Sequence, residues 1–295
     1  LSTRAVIVNE ALPSDNPSDN KPLSTTGETM REPILVHREG AVLVLSNNNP
    51  GARNALTPEF YAALPQALAR AEADPAIGAV VLTGVDGHFC AGGDLHRLAL
   101  RRAMTPAERR VNLEGLHDLI RSIHTCSKPV IAAVEGAAAG AGLSIALACD
   151  MLVAARNASF SVAYVKVGLT PDGGATAFLA EFVSRQVLTQ LCLTGDRISG
   201  ERLHALGAVN TLAEPGEALA AAITLAARIG AGPQRAMARI KSLCRQAGSA
   251  SLEQQLELEA THMVESMGDD EAGEGIAAFF DKRPADFLAL RKTNQ

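Results

Sequence analysis

The chain contains no tryptophan, and phenylalanine and tyrosine together make up only 3% of its 295 residues. Its five cysteines (Cys90, Cys126, Cys149, Cys192 and Cys244) are odd in number and never spaced C-x-x-C, which excludes a structural zinc and reads as a reduced protein. The seven histidines form no H-E-x-x-H or related ligand spacing, so no metal site is expected. No apolar run reaches the ~20 residues a membrane span needs, and the N-terminal segment lacks the charged-then-apolar order of a signal peptide. A cytoplasmic protein is expected. Positive charge is also scarce: the formal net charge is −5, which argues against nucleic acid as a partner. An anionic ligand would therefore need a local cluster of Lys and Arg.

Small and apolar residues are abundant. Hydrophobic residues make up 47% of the chain and 25 positions are glycine, a composition suited to a large buried core with closely approaching backbones. Residues 1–29 are rich in Ser, Asn, Asp, Pro and Thr without periodicity and read as a disordered extension, with Met30 a possible natural start. Strands are expected at Ile34–His37 and Ala41–Ser46, around Arg38-Glu39-Gly40. Thr57-Pro58-Glu59 opens a helix that Asp74-Pro75 closes. Strands follow at Ala79–Thr83, Val130–Val134 and Met151–Ala155, with helices from Asp94, over Pro106–Thr125, up to Cys149 and over Thr176–Leu193. The recurring order of strand, strand or turn, and helix predicts stacked ββα units wound about one core over residues 30–215. Beyond Glu217 the pattern is helical throughout, and residues 216–295 read as an all-helical oligomerisation region.

Two glycine-rich segments carry the chemistry. Phe89-Cys90-Ala91-Gly92-Gly93-Asp94-Leu95 and Gly136-Ala137-Ala138-Ala139-Gly140-Ala141-Gly142-Leu143 each follow an apolar β-branched run and lead into a helix. Strand ends made of small residues leave backbone N–H groups unpaired, and two that converge could hold one developing oxyanion. Other readings fare worse. The Gly136–Gly142 spacing resembles a dehydrogenase nucleotide turn, yet about 130 residues precede it and no Tyr-x-x-x-Lys pair follows. Gly142-Leu143-Ser144-Ile145-Ala146 resembles a nucleophile elbow lacking its last glycine, and neither His204 nor His262 stands in a triad context.

Ala91-Gly92-Gly93-Asp94-Leu95, Ala148-Cys149-Asp150, Val167-Gly168-Leu169-Thr170-Pro171-Asp172-Gly173-Gly174, Arg53-Asn54-Ala55-Leu56 and Ile198-Ser199 through Gly207-Ala208-Val209 occur in the order and spacing of one family. From about residue 34 to 287 the chain resembles the enoyl-CoA hydratase/isomerase (crotonase) superfamily. The resemblance implies an α/β spiral fold, an acyl-CoA thioester as substrate and no cofactor beyond the CoA it carries. It implies trimers or dimers of trimers built by the C-terminal helices. The backbone N–H groups of Gly93 and Ala141 would be the oxyanion donors. Ala52, Arg53, Ala55, Ala91, Gly92, Gly93, Asp94, Leu95, Ala141, Gly142 and Lys282 would contact the CoA ester, with Arg97 a further phosphate partner and Phe279 closing the acyl pocket.

The chain departs from that pattern where hydratases carry two catalytic glutamates: Ser144 and Tyr164 stand there instead. Adding water to a conjugated double bond needs an acid–base pair that these residues do not obviously supply. Asp172, in a Pro-Asp-Gly turn before a helix, matches the position of a catalytic acid in isomerases of the family. A single base suits double-bond migration, so isomerisation is expected. Hydration, another thioester-enolate reaction and non-catalytic acyl-CoA binding are the alternatives. The same position carries a nucleophilic aspartate in the related 4-chlorobenzoyl-CoA dehalogenases, whose strongly aromatic acyl pocket includes tryptophan; this chain has none, so that chemistry ranks well below isomerisation. Arg97, Arg101, Arg102, Arg109 and Arg110 are expected to face solvent or pair with acids, and Asp94 and Asp150 to cap a helix and fix a turn.

Overall fold

Gly40, at φ 58°, reverses the chain between β1 (Ile34–Glu39) and antiparallel β2 (Val42–Asn47), a backbone conformation that costs glycine least. The computed structural model describes residues 31–293, so the expected extension at 1–29 lies outside the described residues. Thr57 caps α1 (Pro58–Ala73): its Oγ1 accepts from Phe60 N at 3.3 Å, and Pro58 fills the first helical position, where no N–H is needed. β3 (Ala79–Gly84) returns beside β2. Asp94 then caps the short α2 (Leu95–Arg101), and Thr105 with Glu108 forms a reciprocal capping box on α3 (Pro106–Thr125).

β4 (Val130–Val134) and β5 (Ala137–Ala139) lead into α4 (Ala141–Ala148), whose eight residues are all buried. β6 (Met151–Ala155) and β7 (Ser159–Ser161) repeat the unit and lead to α5 (Ala175–Ala180) and α6 (Arg185–Thr194). One long helix was expected over Thr176–Leu193. Ser184 breaks it, taking an extended conformation and accepting from Val187 N at 3.4 Å to start α6 afresh. β8 (Arg197–Ser199), α7 (Gly200–Ala205) and β9 (Thr211–Ala213) follow. Five helices complete the chain: α8 (Ala218–Gly230), α9 (Gln234–Gln246), α10 (Leu252–Met267), α11 (Asp270–Phe280) and α12 (Phe287–Thr293).

The strands form two sheets. One has the order β1-β2-β3-β4-β6-β9 and is parallel apart from the β1–β2 pair; the other has the order β5-β7-β8. Successive units step between them, β4 to β5 and β6 to β7, and this alternation is the predicted spiral. Strand side chains alternate faces. Val80, Leu82, Ala132 and Val134 pack into a core with α1, α3 and α4, whereas Val81, Ile131, Ala133 and Val153 pack under Ala218, Ala222 and Ala226 of α8. Alanine at every fourth position lets α8 lie close against the sheet. The described residues from Glu32 onward form one compact unit.

Candidate active site

The two glycine segments meet at the edge of β5. Cys90 N donates to Ala137 O at 2.9 Å and Ala139 N donates to Cys90 O at 3.0 Å, so the first segment runs beside the second as a one-residue bridge. On its other side Leu56 N donates to Gly92 O at 2.8 Å. The approach is too close for side chains: a Cβ on Gly92, at φ 95°, would stand 2.6 Å from Ala139 O, and one on Gly142 would collide with Cys90. Asn54 fixes the neighbouring loop. Fully buried at φ 58°, it donates to Val85 O and His88 O and accepts from Asn49 N.

Among the described residues, neither Gly93 N–H nor Ala141 N–H donates to a protein acceptor. Ala141 opens α4, whose N-cap Gly140 has no side chain to satisfy the first turn. The positive end of the α4 dipole therefore faces the same space as these donors. That space is a cleft of about 620 Å³, walled by Gly93, Ala141, Tyr164, Asp172 and the facing sides of α2 and α3.

Asp172 reaches the cleft from the turn before α5. Ser144 Oγ donates to Asp172 O at 3.0 Å, holding the turn against the first part of α4, and Tyr164 Oη donates to Asp172 Oδ1 at 2.7 Å. Burial raises the Asp172 carboxyl above its usual range, opposed by the Tyr164 hydrogen bond and the charges of His117 and Arg101. Burial and the Asp172 charge raise the Tyr164 phenol above its own ordinary value, so it stays a neutral donor. Tyr61, on the same cleft, is pushed up to about 12, chiefly by burial. The arrangement offers two backbone donors for an oxyanion and, in Asp172, a carboxylate without an ion-pair partner among the described residues in the same cavity.

Ala91, Gly92, Gly93, Asp94, Leu95, Arg97, Ala141 and Asp172 all line this cleft. Ala52, Arg53, Ala55, Gly142, Lys282 and Phe279 do not; Gly142 instead packs beneath it against Cys90. Asp94 Oδ1 accepts from His96 N at 2.8 Å, and Asp150 Oδ2 accepts from Val130 N at 2.7 Å while pairing with Lys241 at 2.6 Å, so both act structurally as expected. Ser144 is fully buried. The arginines largely follow the expectation: Arg110 pairs with Glu114 at 3.0 Å and Arg97 with Asp94 at 3.6 Å, while Arg102 and Arg109 are exposed. Arg101 is half-buried, and Arg101, Arg102 and Arg109 line the cleft without an ion-pair partner among the described residues. The sequence signal was their spacing. Arg97 and Arg101 are i and i+4 on α2, and Arg109, Leu113 and Leu116 recur at helical intervals on α3. The Tyr164–Asp172 contact has no such signal, because it joins a single 3₁₀ turn, Ala163–Val167, to a loop, and neither is long enough to show a period. Among the described residues no cluster of His, Cys, Asp and Glu could hold a metal ion, and no helix is long and apolar enough to cross a membrane.

The chain is similar to characterised proteins over most of its length. A 1,2-epoxyphenylacetyl-CoA isomerase from Escherichia coli is 33% identical over 259 residues, covering 88% of this chain and 99% of that protein. A crotonyl-CoA hydratase from Syntrophomonas wolfei is 31% identical, covering 88% of this chain and 98% of its own. The crystal structure of an enoyl-CoA hydratase from Polaromonas sp. JS666 superposes with a TM-score of 0.84 at 49% identity, over 86% of this chain and 98% of that one. The sequence model of the enoyl-CoA hydratase/isomerase family matches residues 37–289, and the chain belongs to that family.

Proposed function

We propose that this acyl-CoA enzyme moves a carbon–carbon double bond along the acyl chain, with Asp172 as its base. The observation that carries the reading is the pairing of Asp172 with Tyr164 beside the unpaired Gly93 and Ala141 N–H groups. With the thioester carbonyl between those donors, C2 is activated toward proton loss. Asp172 takes a proton from C2 of a 3-enoyl thioester, the dienolate charge collects on the thioester oxygen, and the same carboxyl returns the proton to C4 to give the 2-enoyl thioester. Each backbone donor is worth about 3–4 kcal/mol to such an intermediate. Asp94, the other carboxylate lining the cleft, is occupied by the α2 cap and Arg97.

Hydration is the second reading, favoured by the 49% identity to the Polaromonas enoyl-CoA hydratase. It would have to use Asp172 both to activate water and to supply the C2 proton. Chromatography of the CoA esters after incubation with 3-enoyl-CoA and 2-enoyl-CoA separates the readings. Interconversion of the two supports isomerisation, and accumulation of 3-hydroxyacyl-CoA refutes it.

A trimer or dimer of trimers is proposed as the assembly. Met267, Ile276, Phe279 and Phe280 on α10 and α11 are exposed in the single chain, a patch suited to subunit contact. Light scattering would read a mass of three or six times 30.8 kDa.

A further inference from the structure

The cleft reverses the charge of the protein around it. The chain carries a net −5, yet five cationic side chains (Arg97, Arg101, Arg102, Arg109 and Lys166) line this cavity against two carboxylates, Asp94 and Asp172. Two of the cations are already committed, Arg97 to Asp94 at 3.6 Å and Lys166 to Asp196 at 3.5 Å. Arg101, Arg102 and Arg109 have no carboxylate partner among the described residues, although Glu108 and Glu114 stand on the same helix as Arg109. Glu108 is held in the capping box by Thr105, and Glu114 by Arg110 and Arg121. Three guanidinium groups on the cavity lining are therefore without an ion-pair partner, and Asp172 alone among its carboxylates feels one of them, Arg101, at a distance.

Their placement relative to the chemistry decides what they meet. Leu116 of α3 stands against the turn that carries Asp172, since a Cβ on Gly173 would meet its side chain at 3.3 Å, so an acyl chain that leaves Asp172 along α3 would start at Leu116. Along the cleft face of that helix the lining changes from buried Leu116 through Leu113 to exposed Arg109. Seven residues of helix span about 10 Å. The wall is thus apolar beside the reacting carbons and cationic at its far end, with Arg101 and Arg102 at the end of α2 contributing to the same lining. Arg101 also acts through its charge on both Asp172 and Tyr61, so it stands near the base.

We propose that the preferred acyl group ends in a carboxylate, so that the substrate is a dicarboxylic-acid mono-CoA ester whose free end is bound by Arg101 and Arg109. A planar guanidinium binds a carboxylate through two parallel hydrogen bonds, and an acyl chain ending in methyl would leave these cations unmatched. The inference rests on the reading that this cleft holds the acyl-CoA, not on the reaction performed there.

The test is calorimetric binding of adipyl-CoA, hexanoyl-CoA and free CoA to the full-length protein and to Arg101→Gln, Arg109→Gln and the double variant. Both acyl groups are saturated, so no double bond can move and a failed isomerase reading would leave the measurement intact. Adipyl-CoA is expected to bind about tenfold more tightly than hexanoyl-CoA, a preference the double variant loses while its affinity for hexanoyl-CoA and free CoA stays the same. Arg101→Lys should recover part of it. Equal affinity of the native protein for the two esters would overturn the proposal. So would a parallel loss for all three ligands, which would assign the arginines to the CoA phosphates.

Discussion

Tyr164 Oη stands 2.7 Å from Asp172 Oδ1, joining the 3₁₀ helix Ala163–Val167 to the turn before α5 in the cleft that Gly93 and Ala141 also line. The resemblance to the family puts a hydratase glutamate at the position of this phenol. On the proposed reading, Tyr164 serves instead as a hydrogen bond donor that holds one Asp172 oxygen and leaves the other to exchange the proton.

Removing that donor should shift the protonation of the base. The hydrogen bond from Tyr164 favours the ionised carboxyl and opposes the rise caused by burial. In Tyr164→Phe the Asp172 pKa rises further, so the acidic limb of the kcat/KM profile moves to higher pH. A profile superimposable on the native one would show that the contact does not act on Asp172.

Asp172→Asn should abolish turnover without weakening the fold. Loss of a general base costs about 10²–10⁴-fold in rate. The folded-state pKa of Asp172 is raised, so its ionised form destabilises the native protein above that pKa, and the effect vanishes below the unfolded value near 3.9. The variant should then match or exceed the native Tm at neutral pH, with the two converging in acid. Thermal melts across pH check this.

Ala141→Pro removes one oxyanion donor while respecting the helix. Ala141 is the first residue of α4, where proline is well tolerated because no intrahelical hydrogen bond is lost. The expected result is a loss of about 10²–10³ in kcat with a Tm within a few degrees of native, as judged by steady-state kinetics and calorimetry. A variant with native kcat would remove Ala141 from the site.

Lys241→Met should destabilise the whole chain without touching the cleft. Lys241 Nζ lies 2.6 Å from Asp150 and also donates to Lys128 O, tying α9 to the start of β4 and the end of α4. Removing one partner of a poorly solvated pair costs about 3 kcal/mol. Burial already raises the Asp150 pKa against the pull of Lys241, and losing the lysine raises it further. The deficit should therefore shrink as pH falls through that raised value, which chemical denaturation at neutral and acidic pH measures.

Much of this was legible where local chemistry decides. Thr57-Pro58 and Asp94 are caps that need only a hydroxyl or carboxylate at a helix start, and the chain uses them so. The glycines at 92 and 142 announced a close approach, and the backbone contacts with Ala139 and Cys90 are that approach. Strands β5, β7, β8 and β9 are three residues each, too short for an alternating pattern to emerge. Ala52, Arg53 and Ala55 read as ligand contacts but do not line the cleft, and Asn54 between them is buried and spends its amide on Val85 and His88. The arginines of α2 and α3 read as a solvated face, and Arg102, Arg109 and Arg110 are exposed; sequence spacing does not show that four of the five also line the cleft.

The most direct test of Asp172 as the isomerising base is proton NMR of the native protein with a 3-enoyl-CoA in deuterated buffer, alongside Asp172→Asn. The native enzyme should shift the double bond to C2, place deuterium at the carbons that lose and gain a proton and form no hydroxyacyl product, while the variant leaves the ester unchanged. Migration at the native rate in Asp172→Asn, or water addition as the main reaction of the native enzyme, would contradict the assignment.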